Sequence, residues 1–132
     1  MLTANELSLP IRRRLVATVS LLGVLTIFHD LDHVRQGRAL PAELYVVAVA
    51  ALVSITATLL VLVRYPRWAR PAAVAQGVAT IAGVGAVHVA PQWSSVTDSY
   101  TAAHADVVSW AIILAMMATG FVLVLVGMRA ID

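Results

Sequence analysis

Cysteine is absent from the 132 residues. Disulfides, thiolate metal sites, thiol redox relays and cysteine nucleophiles are therefore excluded. Lysine is absent as well: all nine basic residues are arginine, which with the abundant alanine and valine points to a GC-rich bacterial coding bias. Charged residues make up only 12% of the chain, against about a quarter in a soluble domain. No basic face interleaved with aromatic residues suggests nucleic acid as a partner. The chain is instead 61% hydrophobic, with mean hydropathy +0.89, and its apolar residues come in long uncharged runs. Such runs are the mark of a membrane-embedded chain.

Four spans are expected, at about residues 14–35, 41–63, 71–90 and 102–128 of one transmembrane domain. A bilayer core needs roughly 20 helical residues. The first run, Leu15 to Phe28, is too short if cut at His29, so its helix should continue through the polar cluster to Val34 or Gln36. Its basic start resembles a signal peptide, but charged residues follow where a small-x-small cleavage site would lie. Thr3-Ala4-Asn5-Glu6 fits a capping box, and Pro10 should interrupt any longer lead-in helix. Pro41 and Pro71 suit first helical turns, and Gly37 suits a C-cap. Small-residue ridges at Ala50/Ser54/Thr58, Ala75/Ala79/Gly83 and Ala111/Ala115/Thr119 should allow close helix contact in lipid. Short connections make neighbours antiparallel, which gives an all-α, up-down-up-down bundle of four transmembrane helices.

Arginine placement sets the expected orientation. Arg12, Arg13, Arg14, Arg64, Arg67, Arg70 and Arg129 share one side; Arg35 and Arg38 lie on the other. The positive-inside rule then places both termini in the cytoplasm of a multi-pass protein of the bacterial cytoplasmic membrane. His29, His33, His88 and His104 all fall at the outer end, with Asp30, Asp32, Glu43, Asp98 and Asp106. Trp93 and Tyr100 match an interfacial aromatic belt.

The chemistry centres on Phe28-His29-Asp30-Leu31-Asp32-His33. Histidines four apart project from one helical face, the spacing that offers two imidazoles to one metal ion. With the helix ending near Val34, His29 lies about 7 Å below its end, a depth at which an ionisable group needs a partner in the bundle. The expected site takes His29, His33, His88, His104 and Asp32 as metal ligands, with Asp30 and Asp106 as catalytic bases. Imidazole and carboxylate suit Zn, Fe or Cu rather than Ca²⁺ or Mg²⁺. The Glu-x-x-His pairs of di-iron bundles and the His-Glu-x-x-His of metalloproteases are both missing.

The expected function is thus a metal-binding membrane protein, with a metal-dependent enzyme acting on a lipophilic small molecule as its sharper form. Membrane lipids are the surroundings, and a homo-oligomer is compatible with the small-residue ridges. Competing readings are a b-type protein with one haem between His29 and His88, a metal-free acid–base enzyme, a proton-coupled transporter, and an accessory subunit of a larger complex. Against transport, the inner half of every helix lacks an ionisable residue, whereas a carrier usually places one near the midplane. Several polar residues have simpler explanations. Glu43 complements a helix dipole, Asp98 suits a turn or cap, and Asp32 and His33 can pair with Arg35 or Arg38 in solvent. Met116-Met117 and Trp110 suit packing.

Overall fold

The computed structural model describes residues 8–38 and 41–129. Four long helices make up the fold: α1 (Leu9–Arg35), α2 (Ala42–Arg64), α3 (Ala69–Val84) and α4 (Val107–Arg129). A 3-10 turn, Pro66–Trp68, leads into α3, and a π turn, Gly85–Val89, prolongs it. No strand occurs among the described residues. The four helical segments are all long and apolar enough to cross a membrane. Cross-helix contacts make the neighbours antiparallel: Arg12 reaches Leu62, Thr58 bonds Gln76, and Arg35 bonds Asp106.

α1 shows how the sequence sorts its faces. Leu15, Val19, Leu22, Thr26, His29 and His33 are buried, at steps of four and three that keep one stripe toward the bundle. The two histidines therefore continue the seam that the leucines begin. The opposite face exposes Leu21, Val24, Phe28 and Leu31. Such an outward apolar surface suits lipid, where hydrophobicity no longer distinguishes inside from outside. Packing must do so instead. Leu15, Leu22, Leu62 and Leu123 are fully buried, and Met116 fills space beside them. α3 and α4 approach most closely at Gly77 and Gly120, where a Cβ on Gly77 would lie 2.5 Å from the Gly120 carbonyl oxygen.

Three local features differ from expectation. α1 begins at Leu9 rather than near residue 14, with Pro10 in its first turn, where its missing N–H has no partner to lose. α4 begins at Val107 because Asp106 caps it, accepting the backbone N–H groups of Val108 (3.1 Å) and Ser109 (3.0 Å). The small residues Ala50 and Ser54 of α2 and Ala79 and Gly83 of α3 do not close on one another; they border a cavity. The expected capping box at Thr3 and Glu6 lies outside the described residues. At the other end of α2, the Arg12 guanidinium donates to the Leu62 carbonyl (2.8 Å) and also to that of Val63. Two carbonyls that the helix leaves without partners are thereby satisfied.

Candidate metal centre

His29 and His33 lie one turn apart on the buried seam of α1, and their Nε2 atoms are 3.2 Å apart. His88 joins them from the π turn after α3. The buried stripe of α3 runs through Ala69, Ala73, Gln76, Gly77 and Thr80. The π turn carries the helix on from that stripe to His88, which is also buried. Such turns are frequent at functional sites. The His29 and His88 ring centroids are 4.7 Å apart, and each of the three histidines offers a ring nitrogen within 4.8 Å of the others. All three are buried.

The π turn also disturbs the backbone ladder, and the following loop uses what it leaves. Ala90 N–H bonds the Gly85 carbonyl (2.8 Å). The next three carbonyls accept from the returning chain: Ala86 from the Trp93 indole (3.0 Å), Val87 from Asp98 N–H (2.8 Å), and His88 from Tyr100 N–H (2.9 Å). The loop is thereby folded back over the histidines, and Thr97, Asp98, Ser99 and Tyr100 are all buried.

This return brings a polar group behind each imidazole. His29 Nδ1 lies 3.3 Å from the Tyr100 hydroxyl. His88 Nδ1 lies 3.2 Å from the Asp98 carbonyl oxygen. The Asp98 carboxylate Oδ2 stands 3.6 Å from Nδ1 of both His33 and His88. Among the described residues, that Oδ2 and His33 Nδ1 are buried without a hydrogen-bond partner. Burial alone would raise the Asp98 pKa. His88, facing the carboxylate at 3.6 Å, and the charge of Arg38 outweigh it and hold the carboxyl below its usual range. Arg38 itself pairs with Asp98 Oδ1. Burial and then the nearby carboxylates push the Tyr100 hydroxyl well above its usual range, so it stays protonated.

The remaining candidates lie elsewhere. Asp32 faces α4: it accepts from Ser109 (2.6 Å), Arg35 (2.7 Å) and Gln36 (2.7 Å). Asp106 caps α4 and pairs with Arg35 at 2.8 Å, so its oxygens are occupied away from the histidines. The two carboxylates and Arg35 form a clasp between α1 and α4. His104 is exposed on the turn before α4, with φ 51°, and does not join the other three histidines. The expected α4 begins near residues 101–104, whereas these residues form the turn that precedes it. Asp30, in contrast, lines the cavity beside His29 and His33. Asp98 and Tyr100 are not singled out as site residues by sequence. The nearest signal is that they occupy the longest connection, directly after His88.

The cavity measures about 310 Å³ and lies between α1, α2 and α3, with the three histidines and Asp30 in its wall. Most of the remaining lining is aliphatic. The chain matches no protein-family profile, no characterised protein and no solved structure, so the reading of this site rests on its own geometry.

Proposed function

We propose that His29, His33 and His88 bind one transition-metal ion and that the protein is a small membrane metalloprotein. One observation carries this reading. Nε2 of His29 and His33 face each other at 3.2 Å, and Nδ1 stands 3.3 Å from the Tyr100 hydroxyl in His29, 3.6 Å from the Asp98 carboxylate in His33 and 3.2 Å from the Asp98 carbonyl in His88. Metal-binding histidines are ordinarily fixed in this manner, because the outer acceptor sets the tautomer and leaves the inner nitrogen free to ligate. The spacing also suits the task. Nitrogens held around a tetrahedral zinc at its usual bond length lie about 3.3 Å apart, and His29 and His33 already place theirs 3.2 Å apart.

Three imidazoles leave a coordination position for water or substrate, the arrangement of catalytic rather than structural zinc sites. Imidazole donors equally suit Fe or Cu. A metal held here would polarise a carbonyl or phosphoryl oxygen, or lower the pKa of a bound water. Asp30, which lines the cavity, would take the proton. The arginine distribution orients the histidine end outward, with the termini in the cytoplasm of a bacterial membrane. The haem alternative fares worse: His29 and His88 are in edge contact, and His33 touches His29, so no plane is left between them for a macrocycle.

The test is elemental analysis by ICP-MS on protein purified without a histidine tag or chelator. Near-stoichiometric Zn, Fe or Cu is expected, lost in His29→Ala/His88→Ala and retained in His104→Ala, with helicity unchanged by circular dichroism. A protein that carries no metal and takes up no added Zn²⁺ would overturn the reading.

A further inference from the structure

We propose that the cavity between α1, α2 and α3 is a binding site for one single-chain amphiphile. Its alkyl or acyl tail lies along the bundle and its oxygen-bearing head at the histidine end. The placement of the head rests on the metal reading above; the tail site does not.

The cavity is polarised along its length. His29, His33, His88 and Asp30 stand at one end. Leu22, Ile55 and Met116 line the stretch below. Gln76, bonded to Thr58 (3.1 Å) and Thr80 (3.3 Å), lies at the far end. Gln76 and His88 are twelve positions apart on one helical element, roughly 18 Å at the usual helical rise. The space is thus long and mostly aliphatic between its ends, with the Thr26 and Thr80 hydroxyls turned back to their own helix carbonyls (2.9 Å each). Water filling it would find few partners along the aliphatic walls, and leaving it empty would forfeit dispersion contacts. A hydrocarbon tail satisfies both conditions.

The mouth opens within the apolar part of the fold. Ala50 and Ser54 on α2 and Ala79 and Gly83 on α3 line the cavity and are at least partly exposed. Small side chains on both borders hold the gap between the helices open. At Gly83 an added Cβ would meet nothing within 4 Å, so no packing contact requires glycine there. The route leads from the lipid region sideways into the bundle. That is the route of a membrane-dissolved chain rather than of a water-soluble ligand, and one cavity of about 310 Å³ admits one tail.

The experiment uses the full chain in nanodiscs with a long-chain fatty acid bearing a mid-chain diazirine, followed by photolysis and peptide mapping. The wild type should be labelled on the segments carrying Ser54 and Ala79. Gly83→Leu and, separately, Ala79→Leu should cut that labelling at least fivefold. Both should leave metal content unchanged, along with labelling of the lipid-facing segment around Val46. The His29→Ala/His88→Ala variant should still admit the tail. Labelling confined to lipid-facing residues, or identical in wild type and both leucine variants, would overturn the proposal. Cavity labelling in a protein that never holds metal would support the tail site while the metal reading falls.

Discussion

Gly77 and Gly120 bring α3 and α4 into backbone contact: a Cβ added to Gly120 would lie 3.0 Å from the Gly77 carbonyl oxygen, and the reverse approach is closer still. No side chain fits between them. Gly77→Ala should therefore lower the thermal unfolding midpoint, through overpacking worth about 1–3 kcal/mol. Gly83→Ala meets open space and should be neutral or stabilising by up to about 1 kcal/mol. Circular-dichroism melts of the two variants in one detergent decide it. Equal effects at both positions would refute the assigned packing.

Asp98→Asn should weaken metal binding without unfolding the protein. Asparagine keeps the size of the side chain but removes the charge that faces His33, His88 and Arg38. Loss of such an outer partner typically costs 10–100-fold in metal affinity. Tyr100→Phe, which removes the hydroxyl beside His29, should act in the same direction. Competition titration of each variant against a chelator measures both. Wild-type affinity in Asp98→Asn would show that the carboxylate serves only the loop.

The Arg12 guanidinium ties the start of α1 to the last carbonyls of α2. Arg12→Ala should destabilise the fold by about 1.5–3 kcal/mol, in line with other hydrogen bonds from charged groups. Arg12→Lys should recover only part, because an ammonium lacks the planar fork that reaches two carbonyls together. Melting midpoints of the three proteins give the order expected: wild type, then lysine, then alanine.

Asp106 gives a pH dependence of known sign. Its pKa is held down to about 2, first by the Ser109 backbone N–H and then by Arg35. A carboxylate depressed by folding stabilises fully above its ordinary pKa, and that contribution fades as pH falls toward the depressed value. Asp106→Asn keeps an oxygen to cap α4 and loses the pairing with Arg35. The gap in melting midpoint between wild type and Asp106→Asn should be constant above about pH 4 and should close toward about pH 2. A gap that widens on acidification would contradict this role.

Much of the architecture is legible in the sequence because its signals are periodic. The uncharged runs mark four spanning helices, and the four-residue interval between His29 and His33 places both on one face. The depth of His29 below the end of its helix also marks it as needing a partner. The other parts of the site depend on departures from period. Neither the π turn that carries His88 nor the loop that folds back on its carbonyls has a repeating pattern. Asp98 therefore reads as a turn residue, and Tyr100 as an interfacial one. His104 joins the expected ligands only if α4 extends over residues that in fact form a turn with positive φ. The ridge on α2 is visible as small residues. Whether such a ridge closes on a neighbour or borders a gap is decided by what stands opposite, which the ridge itself does not specify.

α2 supplies no ligand to the three histidines and no partner to Arg35, Arg38 or Asp98 among the described residues. Its side-chain and carbonyl bonds to other helices, again among the described residues, are all toward the opposite end, at Thr58–Gln76 and at the carbonyls held by Arg12. At the histidine end it meets its neighbours through apolar residues such as Leu44. α2 is thus a wall of the cavity and not a holder of the imidazoles, which stand on α1 and the π turn with the loop behind them. Side chains on its upper half can be exchanged, reshaping what the cavity admits, without touching any group that fixes a histidine.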